Sequence, residues 1–186
     1  MDSLLSSEFR TTVARMALSS VGVGVYVFGA ATGLPYARFL GLRSAAERAY
    51  WRKDLDDAET LAKELLSLAD RYESDWYHGN AVHHGHNLLG RIELKRNRLG
   101  PAIEHLHEAG KTNGSPQLNS FGPNMVLAKE LLELGEKEAV LKYFDLCREF
   151  WGASAIQAIG GGHPLDSWRE VVEEGEIPDF GPNLFY

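Results

Sequence analysis

Four of the seven histidines fall within nine residues: His78, His83, His84 and His86. Clustered imidazoles first raise the question of a metal. A helical metal site wants ligands at i and i+4 with a carboxylate close by, as in His-Glu-x-x-His. Positions 87 and 88 are Asn and Leu, so neither His83 nor His84 has that partner. His83 and His86 share a face at i, i+3, but no acid joins them nearby, and His105 and His107 diverge on either side of Leu106. No metal is expected, and the cluster reads as packing and capping of a polar-lined helix. Nucleophilic catalysis has little to stand on either. There is no Gly-x-Ser-x-Gly elbow, and the single cysteine, Cys147, sits at an apolar position. Gly160-Gly161-Gly162-His163-Pro164 lacks the Lys-Ser/Thr that grips a nucleotide, and Gly22-x-Gly24 is followed by Val27 with no βαβ pattern around it. No cofactor is expected.

The elements that must position these residues begin after an uncharged stretch. Met16 to Ala37 carries no charge and is bracketed by Arg15 and Arg38. Its length suits a helix across a hydrocarbon core of about 30 Å, so a single membrane span is the leading reading. The alternatives are a cleaved secretory signal, or a buried helix or glycine-rich strand in a soluble, cytoplasmic fold. Gly29-x-x-x-Gly33 fits a helix-dimerisation face. Residues 1–37 hold Asp2, Glu8, Arg10 and Arg15, which sum to zero, so the whole net charge of −7 belongs to residues 38–186. That charge excludes a nucleic-acid binder, which needs a basic face to displace counterions. An apolar fraction of 44% and a charged fraction of 24% argue for a folded body rather than a disordered one.

From Leu42 the apolar residues recur at helical spacing. Ala45, Ala46, Ala49 and Tyr50 form one run, and Leu55, Ala58, Leu61, Ala62, Leu65, Leu66 and Ala69 a second. The polar stretch Lys53-Asp54-Leu55-Asp56-Asp57 between them predicts an antiparallel helix pair with a tight connection. The arrangement recurs twice. Leu89-Gly90, Ala102, Leu106 and Ala109 carry the second pair. Leu127-Ala128, Leu131, Gly135, Val140, Phe144 and Cys147 carry the third. In these residues the chain resembles the tetratricopeptide repeat (TPR), over residues 39–160. The first unit is counted from Phe39, the second from His83 and the third from Phe121, with ten extra residues before the second and four before the third. The stretch YHGNAVHHGHNLLG, with the corner at residues 113–125, is also similar to a group of bacterial TPR-like proteins to which no activity is assigned.

The resemblance implies an all-α solenoid of short antiparallel helix pairs, in which the first helix of each pair lines a concave groove. It places His84, Asn87 and Arg91 on that lining in the second unit, Arg43, Glu47 and Tyr50 in the first, and Met125 with Lys129 in the third. The turn-rich corner Asn113–Asn124 lies at the rim, bringing Asn119 and Asn124, with Asn and Ser also suited to cap the helix that opens there. The expected occupant is a peptide or protein partner. The function expected is a non-catalytic interaction module tethered by residues 16–37; the alternative is an accessory or catalytic subunit with a His/Asn/Arg site at the groove. Residues 161–186 are expected to close the solenoid. Leu165–Glu174 would form a capping helix begun by Asp166 or Ser167 and stopped by Gly175, and the aromatic tail would pack back.

Overall fold

The computed structural model describes residues 35–152 and 162–185. These form eight α-helices and a closing 3-10 turn, with no strand among the described residues, so the described part of the chain is all-α. It divides into two compact units, Met1–Leu65 and Leu66–Tyr186.

The first unit holds α1 (Pro35–Trp51) and most of α2 (Leu55–Arg71). Proline is favoured at a helix start because its missing N–H is one that the first turn leaves unbonded anyway. The buried hydrophobic residues of α1 are Phe39, Leu42, Ala45, Ala46, Ala49 and Tyr50, and those of α2 in this unit are Ala58, Leu61, Ala62 and Leu65. Both sets follow the expected three- and four-residue spacing. The Arg38 guanidinium bonds both oxygens of Glu64, a fork that suits the planar carboxylate. Asp54, just before α2, accepts from the Asp57 N–H and caps the helix. Of the uncharged run 16–37, only Pro35, Tyr36 and Ala37 are among the described residues, and they are the first turn of α1. The rest of the expected membrane segment lies outside the described residues. Among those described, no helix is long and apolar enough to cross a membrane.

The second unit continues with α3 (His78–Lys95), α4 (Leu99–Gly110), α5 (Pro116–Phe121), α6 (Val126–Glu133), α7 (Lys137–Phe150) and α8 (Pro164–Glu173). The 3-10 turn Gly181–Leu184 closes it. Helix α3 packs along α4, α5 and α6, while α7 packs on α4, α6 and α8. Leu106, Met125, Leu127, Leu131, Tyr143 and Phe144 form its buried centre. Three features depart from the expected layout. The corner 113–125 is not all loop: Ser115 accepts from the Leu118 N–H and starts α5 with Pro116 in its first turn. Helix α8 is capped by His163, whose Nδ1 accepts from the Leu165 N–H, rather than by Asp166 or Ser167. The tail packs back only in part. Phe180 is buried against Trp168 and Phe144, with ring centroids 5.0 and 6.3 Å away, whereas Phe185 is 86% exposed.

One turn geometry ends four helices. At Lys53, Asn97, Gly135 and Gly175 the backbone turns left-handed, with φ of 65°, 57°, 86° and 90°. In each case this residue donates to the carbonyl three back, and its successor to the carbonyl five back. The pairs are Lys53 to Tyr50 and Asp54 to Ala49, Asn97 to Leu94 and Arg98 to Glu93, Gly135 to Leu132 and Glu136 to Leu131, and Gly175 to Val172 and Glu176 to Val171. This double bond satisfies two of the carbonyls a helix end leaves open. The first three of these residues stand 44 and 38 apart, a 34-residue period lengthened by the same ten and four residues as the sequence units.

Candidate functional site

The polar residues of α3 line one face because Asn80, His84, Asn87 and Arg91 follow three- and four-residue steps, with His83 beside them. That face is largely buried: Asn80, His83, His84 and Asn87 all lie in the interior. A buried polar group costs free energy unless bonded, so their partners decide what the row does.

His83 is the centre. Its Nδ1 lies 2.9 Å from the Ala109 carbonyl oxygen, which can only accept, so Nδ1 carries the proton. The bare Nε2 then accepts from the Asn124 N–H at 2.9 Å. One neutral ring therefore ties the end of α4 to the start of α6. Asn87 Nδ2 donates to the His83 carbonyl one turn back, at 3.0 Å. Asn124 is held from three more directions: its Oδ1 accepts from the Val126 N–H, its carbonyl accepts from Tyr143 Oη at 3.1 Å, and the next residue, Met125, donates to the Asn183 carbonyl. Asn183 Nδ2 in turn donates to the carbonyls of Phe121 and Pro123, so the tail is pinned onto the corner. At the other end of the row the Ser115 hydroxyl donates to Asn80 Oδ1 at 2.9 Å. His163 repeats the device, donating from Nε2 to the Trp151 carbonyl while Nδ1 caps α8.

Each residue expected to line the groove thus has a definite place. Arg91 forms a paired bond with Glu130 of α6 at 3.0–3.1 Å. Asn119 Oδ1 accepts from the Ser115 N–H inside the corner, and Asn124 is the knot between His83, Tyr143 and the tail. Lys129 lies on the surface, 4.0 Å from Glu133. In the first unit Arg43 bonds Glu47 at 2.9 Å on its own helix and Tyr50 is buried. Within α3 the row is a seam of internal hydrogen bonds more than an open lining. His83, Asn80, Ser115 and Asn183 carry that seam, and none of them is marked as a lining residue by sequence. The polar i, i+3, i+7 spacing of Asn80, His83 and Asn87 is visible there, but spacing does not tell a buried polar stripe from a solvated one.

The largest perturbations fall on Cys147 and His86. Burial pushes the Cys147 thiol well above the ordinary range, so it remains a thiol and packs as a small apolar group. His86 of α3 faces His105 of α4, with the two Nδ1 atoms 3.0 Å apart. Burial first, and then the His105 ring, lower His86 from 6.5 to about 4, while Glu108 and Asp70 oppose the shift and Lys111 adds to it. The unfolded chain therefore takes up this proton at higher pH than the folded protein does. Stability from this pair is full above about pH 6.5 and is lost as the pH falls toward 4, by up to about 3 kcal/mol. In metal-free buffer, urea titrations between pH 7 and 4.5 should show this decline, and His86→Ala should flatten it. An unchanged slope in the variant assigns the loss to other groups.

Comparison of the chain with protein-family models, with curated proteins and with solved structures finds no match. The fold and the seam by themselves define the class: among the described residues, an all-helical arrangement in which four helices end in one recurring turn and buried histidines bridge backbone groups.

Proposed function

We propose that the protein is a non-catalytic interaction module that binds a protein or peptide partner at the corner around Phe121, on the rim of a TPR-like helical scaffold. The observation that carries this reading is a pair of exposed aromatic side chains on a rigid base. Phe121 is 65% and Phe185 86% exposed. Asn183, two residues before Phe185, holds the Phe121 carbonyl and the Pro123 carbonyl. Large aromatic side chains presented on an ordered backbone lose little entropy on binding and dominate interface energetics. The buried Cys147 thiol and the histidines engaged with backbone groups support a binding role over a catalytic one. The recurring helix-end turns support the repeat scaffold. The uncharged run Met16–Ala37 supports a membrane tether, with a cytoplasmic protein as the alternative.

Photo-crosslinking in intact cells tests both parts. A benzophenone side chain in place of Phe121 or Phe185 in the full-length protein should give one discrete adduct of the same mass from both positions. The same group in place of Lys63, an exposed residue of α2, should not. Equal labelling from all three positions, or none, rejects the corner as the binding surface. An adduct of twice the chain mass makes the partner a second copy of the chain. The tether expects the adduct to stay with membranes through an alkaline carbonate wash, and its release rejects the tether.

A further inference from the structure

We propose that His86, His105 and Glu108 form a binding site for a first-row transition-metal dication. The two Nδ1 atoms, 3.0 Å apart, are its fixed edge. The site shares no residue with the corner around Phe121 and stands whether or not that corner binds a partner.

The geometry begins with that distance. Imidazole nitrogens bind such metals at about 2.1 Å, and two donors at right angles on one ion then stand about 3.0 Å apart. The rings come from different helices, α3 and α4, which pack along one another and bring the two nitrogens into direct contact. At rest one Nδ1 carries a proton and donates to the other. Shifting that proton to Nε2 of the same ring leaves both Nδ1 lone pairs free for a metal, with no change in net charge.

Glu108 supplies the third donor. It follows His105 by three residues on α4, so carboxylate and imidazole share a helix face. In the structure its carboxylate meets the Lys111 ammonium at 2.6 Å, and no three metal-binding side chains are gathered among the described residues. The pair with Lys111 is an exposed i, i+3 contact, a type that contributes little, so a dication readily displaces the ammonium into water. Two imidazoles and one carboxylate on a single ion would leave its remaining positions to water. That is a donor set for Ni(II), Zn(II) or Cu(II) rather than for Ca(II) or Mg(II), which take oxygen ligands.

The test uses full-length, tag-free protein stripped with EDTA and returned to chelator-free buffer at pH 7.5, with Ni(II) as the calorimetric probe. One ion per chain is expected. His86→Ala, His105→Ala and Glu108→Gln should each weaken binding by roughly tenfold or more, the least expected of a directly bonded ligand given what outer partners contribute. With Cu(II), electron paramagnetic resonance should show two coupled nitrogens in the parent and one in the His105 variant. If His105→Ala fails to fold by circular dichroism, His105→Gln takes its place. Absence of saturable binding, or affinity within twofold of the parent in the histidine variants, overturns the site. Unchanged affinity in Glu108→Gln alone overturns the third donor.

Discussion

Gly79→Ala is expected to destabilise the second unit by about 3 kcal/mol or more, because the added methyl meets backbone. Gly79 lies in the first turn of α3, where the backbone of the corner passes close by. A Cβ there would stand 1.8 Å from the Gly114 carbonyl oxygen and 2.9 Å from Thr112 Oγ1. The first of these is backbone in a turn with φ of +83°, so it cannot rotate aside as a side chain does. Relief requires α3 and the corner to separate, which would break the Ser115–Asn80 bond with them. Gly90→Ala makes a useful contrast, because the atom it meets at 2.3 Å is Cδ2 at the far end of the Leu127 side chain and not backbone. Gly100→Ala meets nothing within 4 Å apart from its chain neighbours, and the restriction that Pro101 places on it offsets the gain in helix propensity, so it should change stability by no more than about 1 kcal/mol. Equilibrium urea unfolding of the three variants should rank them in that order. A Gly79 variant as stable as the parent would show that the corner does not sit against α3.

His83→Ala should cost about 3–5 kcal/mol. Two contributions combine: the Ala109 carbonyl and the Asn124 N–H lose their buried partner, at about 1–3 kcal/mol each, and removal of the ring leaves a cavity. His83→Phe separates them by restoring volume without the bonds, and should recover only the cavity part. Amide exchange reads the mechanism directly. The Asn124 N–H should be protected in the parent and should exchange rapidly in both variants, while amides in the middle of α7 keep their protection. If His83→Phe matches the parent in stability, the ring serves as filler and the two bonds contribute nothing. Loss of this knot should also loosen the Phe121 corner, since Asn124 joins α3, α7 and the tail there.

The helices were legible because burial of one face imposes a period. Phe39, Leu42, Ala46 and Ala49 in α1, or Leu106 and Ala109 in α4, repeat at three and four residues, and the apolar spacing required no tertiary information. The helix ends were less legible. Gly135 and Gly175 announce a left-handed turn, but Lys53 and Asn97 adopt the same conformation without glycine, because the two closing hydrogen bonds offset a modest local strain. Helix α5 was hidden in a run of Asn, Gly, Ser and Pro that reads as loop. Only the Ser115 cap and the contact with Asn80 make six residues there helical.

The sequence by itself determined helices of apolar period, the acidity of the body after residue 37 and an apolar position for Cys147, since each follows from local pattern or composition. The tertiary structure decided what the histidines do. Their sequence spacing argued against a metal on one helix, and spacing speaks only of neighbours along the chain. His83 meets Ala109 and Asn124 across 26 and 41 residues, and His86 meets His105 across 19. Such partners are fixed by how helices pack, and no period within a single helix encodes them.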